Sequence, residues 1–342
     1  MRPEFEESDP DENLEEEERG SQSLLLAYAQ LLRLPNVFSA IADVTAGFLI
    51  VEGNLDRWQS YLPLLLTSIS LYMAGMVLND LFDAPLDAEE RPERPIPSGR
   101  ISPGAAAILG WGLWIAGIIF AGLAVGAGWS AAEMPWRAGL IGGVLAANIV
   151  FYDAWAKSTP IGPIAMGLCR TLNWLLGMSL ASHLPLEVEQ IFLGFGADHL
   201  LVAGGMGLYI AGVTWLARDE ADEPNVLHLI GATIVMLGGL ALAGSHVLWP
   251  SRETWLSRLE GNPLLVWTVA FVALAVPVVR RSAAAIMSGT PEAVRDAVRQ
   301  ALLSVIIFDA AITFAQVGPQ WAILVVALLA PAWALGRFVN AT

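Results

Sequence analysis

Asp80, Asp83 and Asp87 are spaced i, i+3 and i+7 and directly follow a long apolar run that ends at Leu78-Asn79. On a helix these positions fall within about 60° of one another, so three anionic side chains would point the same way. Like charges so placed repel and gain nothing structurally. A hard divalent cation removes the conflict, and Mg²⁺ suits the pattern because it takes one or two carboxylates and keeps water and phosphate oxygens as its other ligands. Pro85 has no amide donor and disfavours helical geometry at Ala84, so the segment is expected to kink between Asp83 and Asp87. A merely hydrated loop is the plain alternative. Against it, Asn79 and Asp80 close an apolar run where polar groups are costly unless used.

A second acidic stretch, Arg218-Asp219-Glu220-Ala221-Asp222-Glu223, follows another apolar run. Asp219 and Asp222 are one turn apart and can share a face. Alone the stretch reads as an ordinary hydrated loop; paired with the first, it suggests two metal sites flanking one diphosphate. Lys157 stands out because the other seventeen of the eighteen basic residues are arginine. Its compact ammonium suits a phosphate oxygen.

These loops must be held by a membrane-embedded frame. The chain has 342 residues, 55% hydrophobic and 15% charged, which is too apolar for a soluble domain of this size and gives no sign of nucleic-acid binding. The expected fold class is all-α, a polytopic transmembrane bundle of nine to ten spans in the lipid bilayer, near 36–52, 61–82, 104–126, 137–153, 161–182, 199–217, 226–248, 264–281, 300–316 and 320–338. Gly318-Pro319 separates the last two, so one broken helix would make nine. If alternate loops face the cytoplasm, thirteen basic residues lie inside and four outside. The positive-inside rule then places the N-terminus and both acidic loops in the cytoplasm, in a cell inner membrane. Ten Asp/Glu within the first twenty residues account for much of the formal charge of -15, and residues 1–22 are expected to be a disordered acidic tail ahead of a transmembrane domain at 23–342. It is not expected to be a signal peptide, since its charge has the wrong sign. Cys169 is the single cysteine, which excludes an internal disulfide. Asp43, Arg170 and Asp309 lie within spans, where charge is costly, and are expected to be functional or mutual partners.

Asn79-Asp80-x-x-Asp83-x-x-x-Asp87, followed by Arg94-Pro95-Ile96-Pro97-Ser98-Gly99-Arg100, closely resembles the first signature of the UbiA family of intramembrane prenyltransferases. Asp219-x-x-Asp222 looks like the core of its second signature. Arg33-Leu34-Pro35-Asn36 and the pair Tyr152 and Lys157 also resemble family positions. The resemblance implies a helical membrane enzyme that binds a polyprenyl diphosphate through Mg²⁺, ionises it and transfers the prenyl group to an acceptor, usually aromatic and lipophilic. It implies metal ligands at Asp80, Asp83, Asp87, Asp219 and Asp222, with Asp80, Asp83, Asp219 and Asp222 catalytic. It also implies substrate contacts at Asn36, Asn79, Arg94, Tyr152, Lys157 and Arg218. Three features depart from the pattern: Val226 stands where a further Asp is expected, Ser158 follows the lysine, and the C-terminal third has an extra span. Together they look most like the EboC-like branch of the family.

The chemistry is coherent on its own terms. Breaking an allylic C–O bond builds negative charge on the leaving diphosphate, so cations there favour the transition state. Tyr72, Phe82, Tyr152, Trp155 and Trp174 are candidates to stabilise the carbocation, although aromatics near span ends usually anchor the interface. The irregular second motif motivates an alternative: a lipid- or isoprenoid-binding, transport-related protein that keeps the fold without catalysis. An alcohol phosphotransferase is disfavoured, because no Asp-Gly and Ala-Arg elements precede the aspartates.

Overall fold

A computed structural model describes residues 24–126, 134, 136–180, 191–218, 224–250 and 253–340. The acidic tail at 1–22 and the stretch Asp219, Asp222 and Glu223 lie outside the described residues. The helices are α1 (24–31), α2 (Leu34–Glu52), α3 (Trp58–Glu90), α4 (Pro103–Gly126), α5 (Trp136–Ala154), α6 (Gly162–Gly177), α7 (Ala197–Ala217), α8 (Val226–Gly244), α9 (Pro263–Ser288), α10 (Pro291–Gln316), α11 (Pro319–Val326) and α12 (Leu329–Asn340). Among the described residues there is no strand beyond an isolated bridge between Phe192 and Phe195.

Local chemistry sets the helix ends. Pro35 opens α2 in the first turn, where its missing N–H costs nothing, and Gly53 closes it in the left-handed conformation (φ 80°). Asn225, Asn262 and Thr290 cap α8, α9 and α10 by accepting hydrogen bonds from first-turn amides. Helix α3 continues through Pro63 and Pro85 to Glu90. The two turns from Asp80 to Asp87 therefore keep helical register.

Among the described residues eight helices are long and apolar enough to cross a bilayer, against the nine or ten expected. The difference lies in α5 and α6: α5 carries Arg137 and Asp153 at its ends, and α6 has 16 residues with Arg170 among them. Both are nevertheless helical where spans were expected and pack inside the bundle. At the C-terminus Gly318 adopts φ 116° and separates α10 from α11, while α11 and α12 together form one candidate span, Pro319–Arg337.

Small residues bring the helices into backbone contact. A Cβ at Gly47 of α2 would lie 2.8 Å from the Trp174 carbonyl oxygen of α6. At Gly212 of α7 it would lie 2.6 Å from the Met236 amide of α8. Lipid tails are as apolar as the helices, so close approach of this kind, rather than hydrophobic burial, supplies much of the packing energy. Side chains then lock neighbours together. Trp114 Nε1 donates to the Ala146 carbonyl (2.9 Å) and Tyr209 Oη to the Ala301 carbonyl (2.8 Å).

Candidate active site

The end of α3, the start of α2, the loop after α5 and the end of α7 meet at one end of the bundle. Asp80 Oδ1 accepts from Arg33 Nη2 at 3.0 Å and lies 3.5 Å from Arg94 Nη1. The same Arg94 nitrogen donates to Asp87 Oδ2 at 2.6 Å. Lys157 Nζ pairs with Asp83 Oδ1 at 2.6 Å. Helical geometry explains this division. Asp80 and Asp87 are two turns apart and nearly eclipsed, so one guanidinium bridges both, whereas Asp83 is rotated toward the loop after α5.

The cations are themselves positioned. Arg33 adopts φ 46°, a conformation that non-glycine residues rarely take, at the N-cap of α2, where its guanidinium reaches Asp80. Arg100 holds the loop after α3 against α1 by donating to Gln30 Oε1 (2.9 Å) and the Glu93 carbonyl (2.7 Å). Arg218 is exposed and its Nη2 donates to the carbonyls of Lys157 (3.1 Å) and Thr159, clamping the turn that presents Lys157. Here it orders the lysine's backbone.

Beneath this charged cap lies a cavity of about 100 Å³, lined by residues of α2, α3, α5, α6 and α7. Asn79 joins the two: its Nδ2 donates to Asp153 Oδ1 at 3.1 Å, and Asp153 lines the cavity. Deeper in, Arg170 forms an ion pair with Asp43, and Asn173 Nδ2 donates to the same Asp43 oxygen at 3.0 Å. Asp309 of α10 lies near enough to Asp43 to interact with it electrostatically. Thus Asp43 and Arg170 are mutual partners, as expected from their cost within spans.

Several expected site residues are brought together: Asn79, Asp80, Asp83, Asp87, Arg94 and Lys157 share the cap. Tyr152 lines the cavity, as does Tyr72. Asn36 is exposed, and among the described residues no hydrogen bond or ion pair joins its side chain to the cap; its carbonyl accepts from Ser39 Oγ (2.9 Å). Phe82 and Trp155 are exposed and Trp174 is fully buried outside the cavity lining, so they have no place around a cation there. Asp153 escaped the sequence reading, although a carboxylate closing an apolar run between Tyr152 and Lys157 carries the same signal of cost that singled out Asp80.

For Mg²⁺, the donor set is of the right kind, hard carboxylate oxygens at the bundle end. Three metal-ligating side chains do not cluster around one point among the described residues. Each aspartate is instead neutralised by arginine or lysine. Because Mg²⁺ needs only one or two carboxylates, this set fits if the paired cations move to phosphate oxygens.

A polytopic helical membrane protein with an acidic and basic cap over an intrabundle cavity is the class that fold and site define. The model of the UbiA prenyltransferase family matches residues 40–225, more than half of the chain, and the chain belongs to that family. It is 30% identical over 184 residues to the digeranylgeranylglyceryl phosphate synthase of Methanothermobacter thermautotrophicus, covering 52% of this chain and 57% of the relative. To the synthase of that name from Methanoregula boonei it is 37% identical over 174 residues, 48% of this chain and 57% of the relative. In both cases the match spans just over half of the relative's length. The fold is similar to the solved structure of a UbiA homolog from Aeropyrum pernix K1, with a TM-score of 0.57 at 17% identity, covering 81% of this chain and 96% of that one.

Proposed function

We propose that the chain is a Mg²⁺-dependent prenyltransferase that takes a polyprenyl diphosphate at its cap and passes the prenyl group to an acceptor in the cavity below. The observation that carries this reading is the alternation of Arg33, Arg94 and Lys157 with Asp80, Asp83 and Asp87, tied by Asn79 to the cavity wall. Six opposite charges satisfying one another on a bundle end are a poor source of stability. They are well suited to exchange partners. A diphosphate offers oxygens to the three cations, and the aspartates so released, with Asp219 and Asp222, would hold Mg²⁺. When bound, the metal supplies positive charge where the leaving diphosphate gains negative charge. Arg33, Arg94 and Lys157 act on the same charge, and stabilise departure more than the bound ground state to the extent that their contacts tighten as the C–O bond breaks. Tyr72 and Tyr152 line the space a carbocation would enter, where an aromatic ring can stabilise positive charge.

The aromatic acceptor implied by the family resemblance is one form of this reading. The relatives' names refer instead to a glyceryl phosphate lipid. The cap is taken to face the cytoplasm, on the basic bias of the loops. The deciding experiment supplies purified protein with Mg²⁺ and labelled prenyl diphosphates of several lengths, with membrane-extracted acceptors, and measures released diphosphate. Release that falls in Asp219→Asn and Asp222→Asn while affinity holds supports catalysis. Tight binding without release would overturn it in favour of a carrier.

A further inference from the structure

Helices α11 and α12 lie beyond the residues that match the family model, and the chemistry proposed for the cap makes no use of them. Each helix from α2 to α10 packs against the next in the chain, and α10 packs back on α2, so the bundle closes at a seam whose two sides no loop joins. Helix α11 leaves α10 through the Gly318 turn and packs on both α10 and α2, and α12 continues onto α2. The span therefore crosses the seam. Val325 of α11 is fully buried in one cluster with Ala42 and Leu49 of α2 and Ile306 and Ala310 of α10.

The span is held on one side and by apolar contact. Among the described residues no hydrogen bond or ion pair joins α11 or α12 to α2 or α10, and Ile323, Leu324 and Trp333 are exposed on its outer face. In a bilayer such contacts exchange for lipid at little cost, because lipid tails are as apolar as the helices. Pro331 offers no N–H to the Ala327 carbonyl, and the chain turns there between α11 and α12. The last turns of α12 then reach the charged cap. A Cβ at Gly336 would lie 3.8 Å from Pro35 Cβ, close to Arg33, which donates to Asp80.

A prenyl diphosphate with its headgroup at the cap must place its hydrocarbon somewhere. The cavity of about 100 Å³ is smaller than the roughly 150 Å³ that holds one benzene, so it takes at most about one isoprene unit. A longer tail has to pass between helices into the bilayer. Parting α2 from α10 strains no connecting loop, and Ala40 and Asp43 on the α2 side of that seam line the cavity. We infer that α11 and α12 form a strap across the α2–α10 seam which a tail longer than the cavity must displace, so that the strap governs which prenyl chain lengths enter. The inference rests on reading the chain as a prenyltransferase and adds to it a determinant of tail length outside the charged cap.

The test locks the strap where it lies. In the full chain, held in lipid nanodiscs and lacking Cys169, Pro35→Cys and Gly336→Cys set two Cβ atoms 3.8 Å apart, the ordinary separation in a disulfide, so oxidation should cross-link α12 to α2. Binding of labelled dimethylallyl and geranylgeranyl diphosphates at saturating Mg²⁺ is followed before and after oxidation. The cross-link should slow association of the geranylgeranyl compound about tenfold or more, leave that of the dimethylallyl compound within about twofold, and be reversed by reductant. Unchanged association of the long chain, equal slowing of both compounds, or failure to cross-link would overturn the inference. A second measurement needs no diphosphate. Ile306→Cys, buried in the cluster that Val325 joins, should react with a membrane-dissolved alkyl maleimide while the strap is free and severalfold more slowly once it is cross-linked, and equal rates would overturn the strap. If neither diphosphate binds the reduced protein, the prenyltransferase reading fails, and the maleimide rates still decide whether the strap opens.

Discussion

Replacing Lys157 by methionine removes one ammonium from the cap while keeping most of the aliphatic stem. In the ligand-free protein the loss is small. Lys157 and Asp83 are 19% and 27% exposed, so their 2.6 Å pair is partly hydrated, and Asp83 can turn to water. Exposed pairs contribute about 0.2–1 kcal/mol, so the unfolding temperature in detergent should fall by only a few degrees. Ligand binding is different, because the ammonium would then meet a phosphate oxygen. A hydrogen bond to a charged group contributes about 1.5–3 kcal/mol, which corresponds to roughly a 10- to 150-fold loss of affinity. Equilibrium binding of a labelled prenyl diphosphate at saturating Mg²⁺ measures it directly, and Lys157→Arg, which keeps the charge but not the compact shape, should recover part of the loss. If Lys157→Met binds within threefold of the parent, the lysine does not face the diphosphate and its pairing with Asp83 is only a surface ion pair. If stability collapses with affinity, the reasoning fails in another way, since the turn after α5 would then depend on this pair rather than on Arg218.

Asp83→Asn should abolish Mg²⁺-dependent diphosphate binding without loss of fold, as followed by binding and circular dichroism; unchanged binding at equal Mg²⁺ would remove the first motif from the metal site. Arg170→Met leaves Asp43 and Asp309 buried without a cation and should cost about 3–5 kcal/mol in detergent unfolding. Asp309→Asn removes a buried carboxyl and should be neutral or stabilising, and equal losses from both variants would refute this account. Gly212→Ala places a methyl 2.6 Å from the Met236 amide and should cost about 1–3 kcal/mol by the same assay, with no loss meaning that α7 and α8 are free to separate. Ala88→Cys and Ala221→Cys, each in a background lacking Cys169, should label from the same, cytoplasmic side of the membrane, and labelling from opposite sides would break the shared cap.

Much of this architecture was legible in the chain, because it depends on local rules. A bilayer demands that each backbone group be satisfied within its own segment, so apolar runs of sufficient length declare themselves as helices. The aspartates at 80, 83 and 87 and the isolated Lys157 declared themselves as well, since charge closing an apolar run is costly wherever the chain goes next. Helical spacing could even anticipate that Asp80 and Asp87 share a face. It could not say what lies opposite them. That Arg94 bridges both, that Arg33 comes from a strained turn before α2, and that Lys157 takes Asp83 depend on which helix ends are neighbours. The same holds within the bundle, where Asp43, Arg170 and Asp309 stand far apart in the chain and meet only because α2, α6 and α10 pack together. Asp153 shows the limit most clearly. Its place in the sequence is that of a polar residue at a helix end, and only the packing of α5 against α3 and α6 turns it into the wall of a cavity, with one oxygen held by Asn79 and the other left without a donor. Periodicity is a property of one helix, whereas a site belongs to the surfaces between several, and those surfaces are set by where small residues let backbones touch.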